Sequence, residues 1–201
     1  MKKIGIFGGS FNPIHIGHLI LAQEVQHKAG LQKVLFIRTA DNPLKEKDSE
    51  ETKAERYEMT RMAIEDNENF AISDIEVRST GYSYTIDTVK KLMAADPEAQ
   101  YYFLCGEDII FQLERWKDFE ELFRLVIFVV TYRPGYDFEK LRVEAQRLKQ
   151  MYGANIEILQ APLIEISSTT IRERVKQNIS VRYLVTEKVH DYIKDKRLYL
   201  E

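Results

Sequence analysis

The chain has 201 residues, with 29 Lys and Arg against 32 Asp and Glu, which gives a formal net charge of −3. The length suits one domain, and 44% hydrophobic residues with 30% charged residues are ordinary for a folded globular chain, which argues against disorder. The near-neutral balance also disfavours a general nucleic-acid binder, since such proteins usually carry a basic excess.

Neither a membrane span nor a disulfide framework is expected. The longest apolar run, Leu125–Val130, is far shorter than the roughly 20 residues that span a bilayer. Gly5, Gly8 and Gly9 interrupt any apolar segment of a signal peptide near the start. The single cysteine, Cys105, cannot form an intrachain disulfide. These features predict a cytoplasmic protein with no membrane partner.

Short apolar runs alternate with amphipathic stretches along the chain. Several runs are continuous Val, Ile, Leu and Phe, which is typical of strands covered on both faces. The predicted strands are Lys3–Gly8, Lys33–Thr39, Phe70–Val77, Tyr101–Gly106, Val126–Tyr132 and Ile156–Gln160. Strands that alternate with helices over short connections predict an α/β domain with a doubly wound parallel sheet.

The sequence pattern at the end of the chain differs from that of the rest. From about residue 167 to 201 we expect a short helical C-terminal end, with helices over Ser168–Gln177 and Thr186–Lys196. No repeat or linker divides the chain, so 1–201 is predicted to be a single domain. The polar stretch Ala40–Thr52 is predicted to be a mobile loop. In such a sheet, ligands bind beyond the carboxyl ends of the strands.

The loop after the first strand carries two glycines and a histidine pair. Gly8 and Gly9 permit close backbone approach, and successive N–H groups before a helix make an anion site. His15 and His18 are three residues apart, so both rings can face one spot and stabilise charge on a phosphate. Zinc binding by the pair is the alternative, but no further ligand lies nearby in sequence. The dinucleotide and Walker A fingerprints are both absent.

A second cluster lies near the predicted helix start at residue 168. Ser167 to Thr170 are four hydroxyl residues in succession, and Arg172 follows about one turn later. N–H, O–H and guanidinium groups in this arrangement can hold a phosphate. Helix capping is the alternative, because Thr170 and Glu173 have the spacing of a capping box.

The two segments together resemble a known family. Gly-Gly-Ser-Phe-Asn-Pro-Ile-His-Ile-Gly-His over 8–18 and Ile-Ser-Ser-Thr-Thr-Ile-Arg over 166–172 are similar to signatures of the nucleotidyltransferase superfamily, specifically of bacterial nicotinate-nucleotide adenylyltransferases. The resemblance covers nearly the whole chain and implies a Rossmann-like fold. It also implies transfer of AMP from ATP to nicotinate mononucleotide in NAD biosynthesis, with Mg²⁺ held mainly through the ATP phosphates. A homo-oligomer is left open.

The resemblance further implies roles for individual residues. His15 and His18 are the implied catalytic pair, and no residue is assigned to a metal. The residues implied to bind ATP are Gly8, Gly9, Ser10, Phe11, Gly106, Asp108, Ile166, Ser167, Ser168 and Arg172. Those implied to bind the mononucleotide are Asn12, Lys45, Tyr84, Thr85, Trp116 and Arg133.

Read without the resemblance, several of these positions have two interpretations. Gly106 and Asp108 at a strand end suit ribose recognition or an ordinary turn. Tyr84 and Trp116 suit ring binding or core packing, although the polar neighbours of Trp116 favour a surface or cleft. Arg133 can face a ligand or be an exposed loop arginine.

The chain departs from the family at three positions. Leu44 stands where the family commonly has histidine, and Ser10 and Asn12 stand where threonine and aspartate are common. These changes keep a hydroxyl and a short polar group in the first loop, so the expected reaction class is unchanged.

Some alternative functions would use the same AMP-transfer chemistry, and one would not be catalytic. An adenylyltransferase for nicotinamide mononucleotide or phosphopantetheine would keep it, although Tyr84, Thr85 and Trp116 favour a pyridine ring with a carboxylate. A non-catalytic nucleotide-binding sensor would abandon it, and the intact histidine pair argues against that reading.

Overall fold

The computed structural model describes residues 2–38, 50–76 and 83–200. Within these residues the chain forms one six-stranded sheet in which every neighbouring pair is parallel. The strands are β1 (Lys2–Gly9), β2 (Lys33–Arg38), β3 (Phe70–Ser73), β4 (Ala99–Gly106), β5 (Ile127–Tyr132) and β6 (Asn155–Gln160). Their order is β3-β2-β1-β4-β5-β6, so the sheet is doubly wound and the predicted Rossmann-like fold is confirmed.

Helices cover both faces of the sheet. They are α1 (Ile16–Lys28), α2 (Glu50–Ile64), α3 (Thr85–Ala95), α4 (Phe119–Leu125), α5 (Phe138–Tyr152), α6 (Ser168–Lys176) and α7 (Glu187–Asp195), with a 3₁₀ helix over Ile110–Arg115. Successive strand residues point to opposite faces. Phe7 therefore joins a core with α1, α2, α6 and α7, whereas Ile6 joins a second core with α3, α4 and α5.

Capping groups fix where the later helices begin and end. The Asp137 side chain accepts a hydrogen bond from the Lys140 amide at the start of α5, and Gly153 takes a left-handed conformation (φ 69°) at its end. At the start of α7, Thr186 accepts from the Val189 amide. The two predicted C-terminal helices are therefore present, each within a residue of its expected bounds.

Three predicted boundaries are wrong by two residues or more, and the first is the start of β4, which lies at Ala99 and not at Tyr101. β3 ends at Ser73 and does not continue through the predicted stretch to residue 77, because the chain turns at 74–76. Glu76 is then buried and accepts a 2.7 Å hydrogen bond from the Thr88 hydroxyl of α3. The loop predicted over Ala40–Thr52 ends earlier, since α2 begins at Glu50. Thr39 and Val77 lie outside the described residues, and so do 40–49.

The described helices include none that is both long and apolar enough to cross a bilayer. The longest, α2 and α5, have 15 residues each and carry charged side chains along their length.

We expect Leu148→Ala to lower the free energy of unfolding by about 2–5 kcal/mol, because the Leu148 side chain is completely buried between α5 and the sheet and its loss leaves a cavity. Val143→Ala on the same helix is the matched control. Val143 is 58% exposed, so its truncation should change stability by less than about 0.5 kcal/mol. Urea denaturation measures both, and equal losses would contradict the assigned core.

Candidate active site

The candidate site lies at the carboxyl edge of the sheet, where the strand order reverses. β1 and β4 are hydrogen-bonded neighbours on either side of that reversal. The loop after β1 and the turn after β4 therefore emerge side by side, and the loop after β5 lies next to them. This topology brings the first loop, Gly106–Asp108 and Arg133 to one edge.

Phe11 shapes the first loop. Its side chain is 1% exposed, and its backbone lies in the left-handed region (φ 42°). The ring packs edge-on to Phe7 and to the His18 imidazole, with centroid distances of 5.6 and 5.2 Å. A Cβ at Gly9 would come within 2.8 Å of the Phe11 ring, so this position requires glycine. With its ring buried, Phe11 can offer a ligand only its backbone, whereas Ser10 is exposed.

The structure brings the two predicted histidines together. Their rings stack with centroids 3.6 Å apart and an angle of 28° between planes. His15 is the extended residue before α1, and its backbone N–H donates to His18 Nδ1 over 3.2 Å. Because Nδ1 of His18 accepts, the proton of the neutral ring lies on Nε2. A Cβ at Gly17 would lie 3.1 Å from His15 Nδ1, so the glycine leaves room for the stack.

Burial keeps both imidazoles neutral at physiological pH. Loss of hydration lowers the pKa of His15 to about 4. The same effect, assisted by the charge of His15, lowers the pKa of His18 to about 3. His15 Nδ1 is buried and has no hydrogen-bond partner among the described residues. The pair therefore offers N–H donors without a full positive charge.

The start of α6 packs directly on the first loop. The Ser168 hydroxyl donates to the Pro13 carbonyl over 2.9 Å, and Arg172 Nη1 donates to the Asn12 carbonyl over 2.7 Å. Ser167 caps the helix, since its Oγ accepts from the Thr170 amide at 3.0 Å. The alternative interpretation, a capping box of Thr170 and Glu173, does not describe this helix start, because the extended residue that starts the helix is Ser167. Ser168 and Arg172 act first as supports of the loop.

Two further side chains reach the same loop from distant parts of the chain. Arg56 of α2 is 2% exposed and donates from Nη1 to the Ser10 carbonyl over 3.3 Å. The Tyr199 hydroxyl, beyond α7, donates to Asn12 Oδ1 over 2.8 Å. Sequence analysis missed both residues, because neither belongs to a local motif. For Arg56, the only available signal was a cation within a helix whose other face is apolar.

The turn after β4 carries the second group of predicted residues. A Cβ at Gly106 would lie 3.0 Å from Asp108 Oδ1, so glycine allows the exposed Asp108 carboxylate to fold back over the turn. Glu107, between them, is buried and accepts from Arg133 Nε over 3.3 Å. Arg133 is therefore half-exposed but held by a carboxylate, which sequence analysis did not anticipate. Burial raises the pKa of the Cys105 thiol, so it stays protonated and unreactive.

The predicted aromatic residues lie at the start of α3 and after the 3₁₀ helix. Tyr84 precedes α3 in an extended conformation and is 40% exposed. Trp116 is half-buried and packs against the core, with its ring centroid 5.5 Å from that of Phe103 in an edge-to-face arrangement. Lys117, next to Trp116, places its Nζ 4.6 Å from the Tyr84 ring centroid. The two aromatic segments therefore meet across one lysine, with Thr85 as the first residue of α3.

The remaining predicted positions divide into two groups. Ile166 is half-buried, and its side chain packs against the core that α6 joins. Gly8 is half-buried at the end of β1. Lys45 and Leu44 lie outside the described residues. Over residues 2–38, 50–76 and 83–200, no group of three or more His, Cys, Asp or Glu side chains could hold a metal ion.

Known proteins are similar to this chain over most or all of its length. Residues 6–174 match the family described as cytidylyltransferase-like. A protein of Desulfitobacterium hafniense (strain Y51) named probable nicotinate-nucleotide adenylyltransferase is 38% identical over 198 residues, 98% of this chain and 96% of that protein. A protein of the same name from Clostridium novyi (strain NT) is 39% identical over 200 residues, 99% of this chain and all of that protein.

The chain belongs to the cytidylyltransferase-like family. Within it, the chain groups with the nicotinate-nucleotide adenylyltransferases. Among solved structures, the Plasmodium falciparum nicotinic acid mononucleotide adenylyltransferase complexed with NaAD has a TM-score of 0.80 at 20% identity, and the match covers all of both chains. At that identity the likeness shows that the whole nucleotidyltransferase fold is shared.

Stability should fall as the pH drops below about 6.5, because the histidine pair resists protonation in the folded state. The pKa of each ring falls from 6.5 to about 4 or 3 on folding, so the unfolded chain binds more protons between those values. The stabilisation is complete above pH 6.5 and is lost as the pH falls through the folded pKa values.

Urea denaturation at several pH values measures this slope. The double variant His15→Gln/His18→Gln should show a smaller loss between about pH 6.5 and pH 4.5 than the wild type. His27→Gln, which removes an exposed histidine of α1, is the matched control and should keep the wild-type slope. A wild-type slope in the double variant would contradict the burial of the pair.

Arg172→Ala should lower the free energy of unfolding by about 1–3 kcal/mol, because the half-buried Asn12 carbonyl loses its charged donor. Lys176→Ala, at the exposed end of the same helix, should stay within about 0.5 kcal/mol of the wild type. Denaturant unfolding of both variants gives the comparison. Equal stabilities would mean that α6 does not support the loop.

Proposed function

We propose that the protein transfers AMP from ATP to nicotinate mononucleotide, forming nicotinate adenine dinucleotide and pyrophosphate in NAD biosynthesis. The observation that carries this proposal is the stacked, neutral histidine pair within a glycine loop that α6 holds at the switch point of the sheet. Membership of the family supports the reaction class, and the residues beside α3 support the acceptor. We place the reaction in the cytoplasm.

The chemistry is an in-line displacement at phosphorus. A phosphate oxygen of the mononucleotide forms a bond to the α-phosphorus of ATP, and the bond from that phosphorus to the bridging oxygen breaks. Pyrophosphate leaves with the electron pair. The attacking phosphate is already ionised at neutral pH, so no general base is needed. Catalysis then consists of positioning and of stabilising the charge that develops on the α-phosphate.

His18 is suited to that stabilisation. Its Nδ1 accepts the His15 backbone N–H, so Nε2–H points its donor away from the loop backbone. The low pKa keeps the His18 ring uncharged through the neutral range, so Nε2–H acts as a neutral donor to the phosphate. His15, the backbone of Gly9–Phe11 and the start of α6 would hold the remaining phosphates of ATP.

The adenosine part of ATP is assigned to the turn after β4. Gly106 lets the chain pass close to the ligand, and the exposed Asp108 carboxylate can accept hydrogen bonds from ribose hydroxyls. This turn lies beside the first loop because β1 and β4 are paired. One ATP molecule can therefore contact both segments.

The acceptor is assigned to the opposite end of the same edge. The start of α3 presents backbone N–H groups to a carboxylate, with the dipole of the helix favouring the anion. Tyr84 and Trp116 provide aromatic surface for the pyridine ring, and Lys117, which lies over the Tyr84 ring, is paired with Asp87 in the first turn of α3 at 3.3 Å. Nicotinate carries the carboxylate that this end favours, whereas nicotinamide does not. Arg133 and Lys45 are proposed to face the mononucleotide.

Magnesium enters this proposal as part of the nucleotide substrate. The described residues offer no acidic cage, while the triphosphate supplies the oxygen ligands that Mg²⁺ prefers. Bound in this way, the ion neutralises charge on the departing pyrophosphate.

Pyrophosphate release tests the proposal, with ATP and magnesium incubated in parallel with nicotinate mononucleotide, nicotinamide mononucleotide and phosphopantetheine. We expect rapid release with the first acceptor. His18→Ala should lower turnover by about 10²–10³-fold, the usual cost of removing one donor to a charged intermediate. His27→Ala, on the exposed face of α1, should retain the wild-type rate.

The outcomes separate the alternatives. Release with another acceptor would keep the reaction class and overturn the carboxylate site at α3. No pyrophosphate release with any of the three acceptors, with ATP still bound, would overturn the enzymatic proposal in favour of a sensor. A near-wild-type rate in a folded His18→Ala would remove His18 from the mechanism.

A further inference from the structure

Thr88 joins α3 to the turn that follows β3. It lies in the first turn of the helix, and its hydroxyl donates to Glu76 Oε1 over 2.7 Å. Both side chains are buried. A threonine inside a helix commonly donates to the carbonyl four residues before it, as Thr60 of α2 does to Arg56 over 2.8 Å. The Thr88 hydroxyl instead reaches out of its own helix to a carboxylate on another element.

The turn that carries Glu76 is fixed to the sheet. Ser73 ends β3 and is paired with Ile37 of β2. The Ile75 amide donates to the Ser73 hydroxyl over 3.4 Å, and the Ile75 side chain packs on the core that α3 joins. Glu76 is therefore held at the carboxyl edge of the sheet, beside the first turn of α3.

Among the described residues, the bond to Glu76 is the shortest that a side chain makes from the first turn of α3. Tyr84 precedes the helix without a side-chain cap. Asp87 pairs with Lys117 at 3.3 Å, but both are exposed, and such pairs contribute little. Ile86 is buried in the core, and apolar packing is non-directional. The hydrogen bond to Glu76 therefore sets the orientation of the turn.

Two backbone amides at this helix start are available to a ligand. The Asp87 and Thr88 amides donate to the Tyr84 carbonyl over 3.0 and 3.2 Å. The Thr85 and Ile86 amides come before them and donate to none of the described residues. Early N–H groups of a helix have no intrahelical acceptor, and a pair of them suits the two oxygens of a carboxylate.

We infer that Thr88 and Glu76 are positioning residues whose hydrogen bond aims the two free amides of α3 at the carboxylate of nicotinate mononucleotide. The inference rests on the proposed function, since it assigns residues to the acceptor of that reaction. A carboxylate gains from both donors only while both point at its oxygens, because hydrogen bonds weaken steeply with misalignment. Neither residue needs to contact the substrate. They act by fixing the turn whose N–H groups do.

Steady-state kinetics on the full chain test the role with two substitutions at one position. Thr88→Val keeps the branched shape and removes the hydroxyl. We expect it to raise the KM for nicotinate mononucleotide about three- to tenfold, the effect of a weakened hydrogen bond to a charged group, while the KM for ATP stays within about twofold. Thr88→Ser keeps the hydroxyl and removes the methyl group, so both KM values should stay within about twofold of the wild type.

The choice between acceptors gives a readout that a general loss of stability does not move. The neutral amide of nicotinamide mononucleotide offers one acceptor oxygen in place of two charged ones. Misaligned donors therefore cost nicotinate more than nicotinamide. Thr88→Val should lower the ratio of kcat/KM for nicotinate mononucleotide over nicotinamide mononucleotide by about two- to fivefold.

Thr60→Val is the matched control. Thr60 is also buried, and its hydroxyl donates within α2, so this variant should keep the wild-type KM values and acceptor ratio. Glu76→Ala supplies a test of coupling, because adding Thr88→Val to it should cause no further rise in the KM for nicotinate mononucleotide. The free energy of unfolding confirms that each variant is folded. If Thr88→Val does not fold, Thr88→Ala removes the same hydroxyl with a higher helix propensity.

Several results would overturn the assignment while the proposed function stands. They are an unchanged KM for nicotinate mononucleotide in Thr88→Val, an equal rise in the KM for ATP, an equal loss in Thr88→Ser or Thr60→Val, and additive losses for Thr88→Val and Glu76→Ala. A wild-type protein that releases no pyrophosphate with nicotinate mononucleotide would contradict the proposed function and this role together.

Discussion

The site depends on how a short loop with strained backbone is kept in place. Phe11 is held in the left-handed region by burying its ring, and the loop's carbonyl groups need donors that no neighbouring strand supplies. Arg56, Ser168 and Arg172 provide them from two different helices. Arg172 donates to the Asn12 carbonyl and to the Thr169 hydroxyl, and neither partner is charged, so its positive charge stays at the place where phosphates are proposed to bind.

Burial affects the charge of the histidines but not that of the arginines. Desolvation removes their charge, whereas the guanidinium groups nearby keep theirs because an arginine cannot lose its proton in the accessible range. The site therefore separates two tasks. Permanent cations attract and hold anionic groups, and uncharged N–H donors respond to charge that appears only during the reaction. Close stacking of the two imidazoles would be unfavourable if both rings were protonated, because their like charges would repel.

Sequence alone predicts the sheet and the local motifs well, because both depend on neighbouring residues. The apolar runs indicate β1, β4 and β5, and the spacing of His15 and His18 indicates a convergent pair. The partners of those motifs are missed. Tyr199 meets Asn12 through the folding of the whole chain, and Glu107 finds Arg133 only because β4 lies beside β5. The spacing of Thr170 and Glu173 fits a capping box, yet the backbone conformation that decides capping belongs to Ser167.

The loop and the residues that donate hydrogen bonds to it are far apart in sequence, so they are synthesised at different times. A ribosome makes the glycine loop first and reaches residue 199 last, at roughly 5–20 residues per second. A nascent chain that ends near residue 160 already contains the histidines, β1 and most of the sheet. It lacks Ser168, Arg172 and Tyr199, which donate hydrogen bonds to the loop. The loop therefore gains its last hydrogen-bonding partners only when synthesis nears its end.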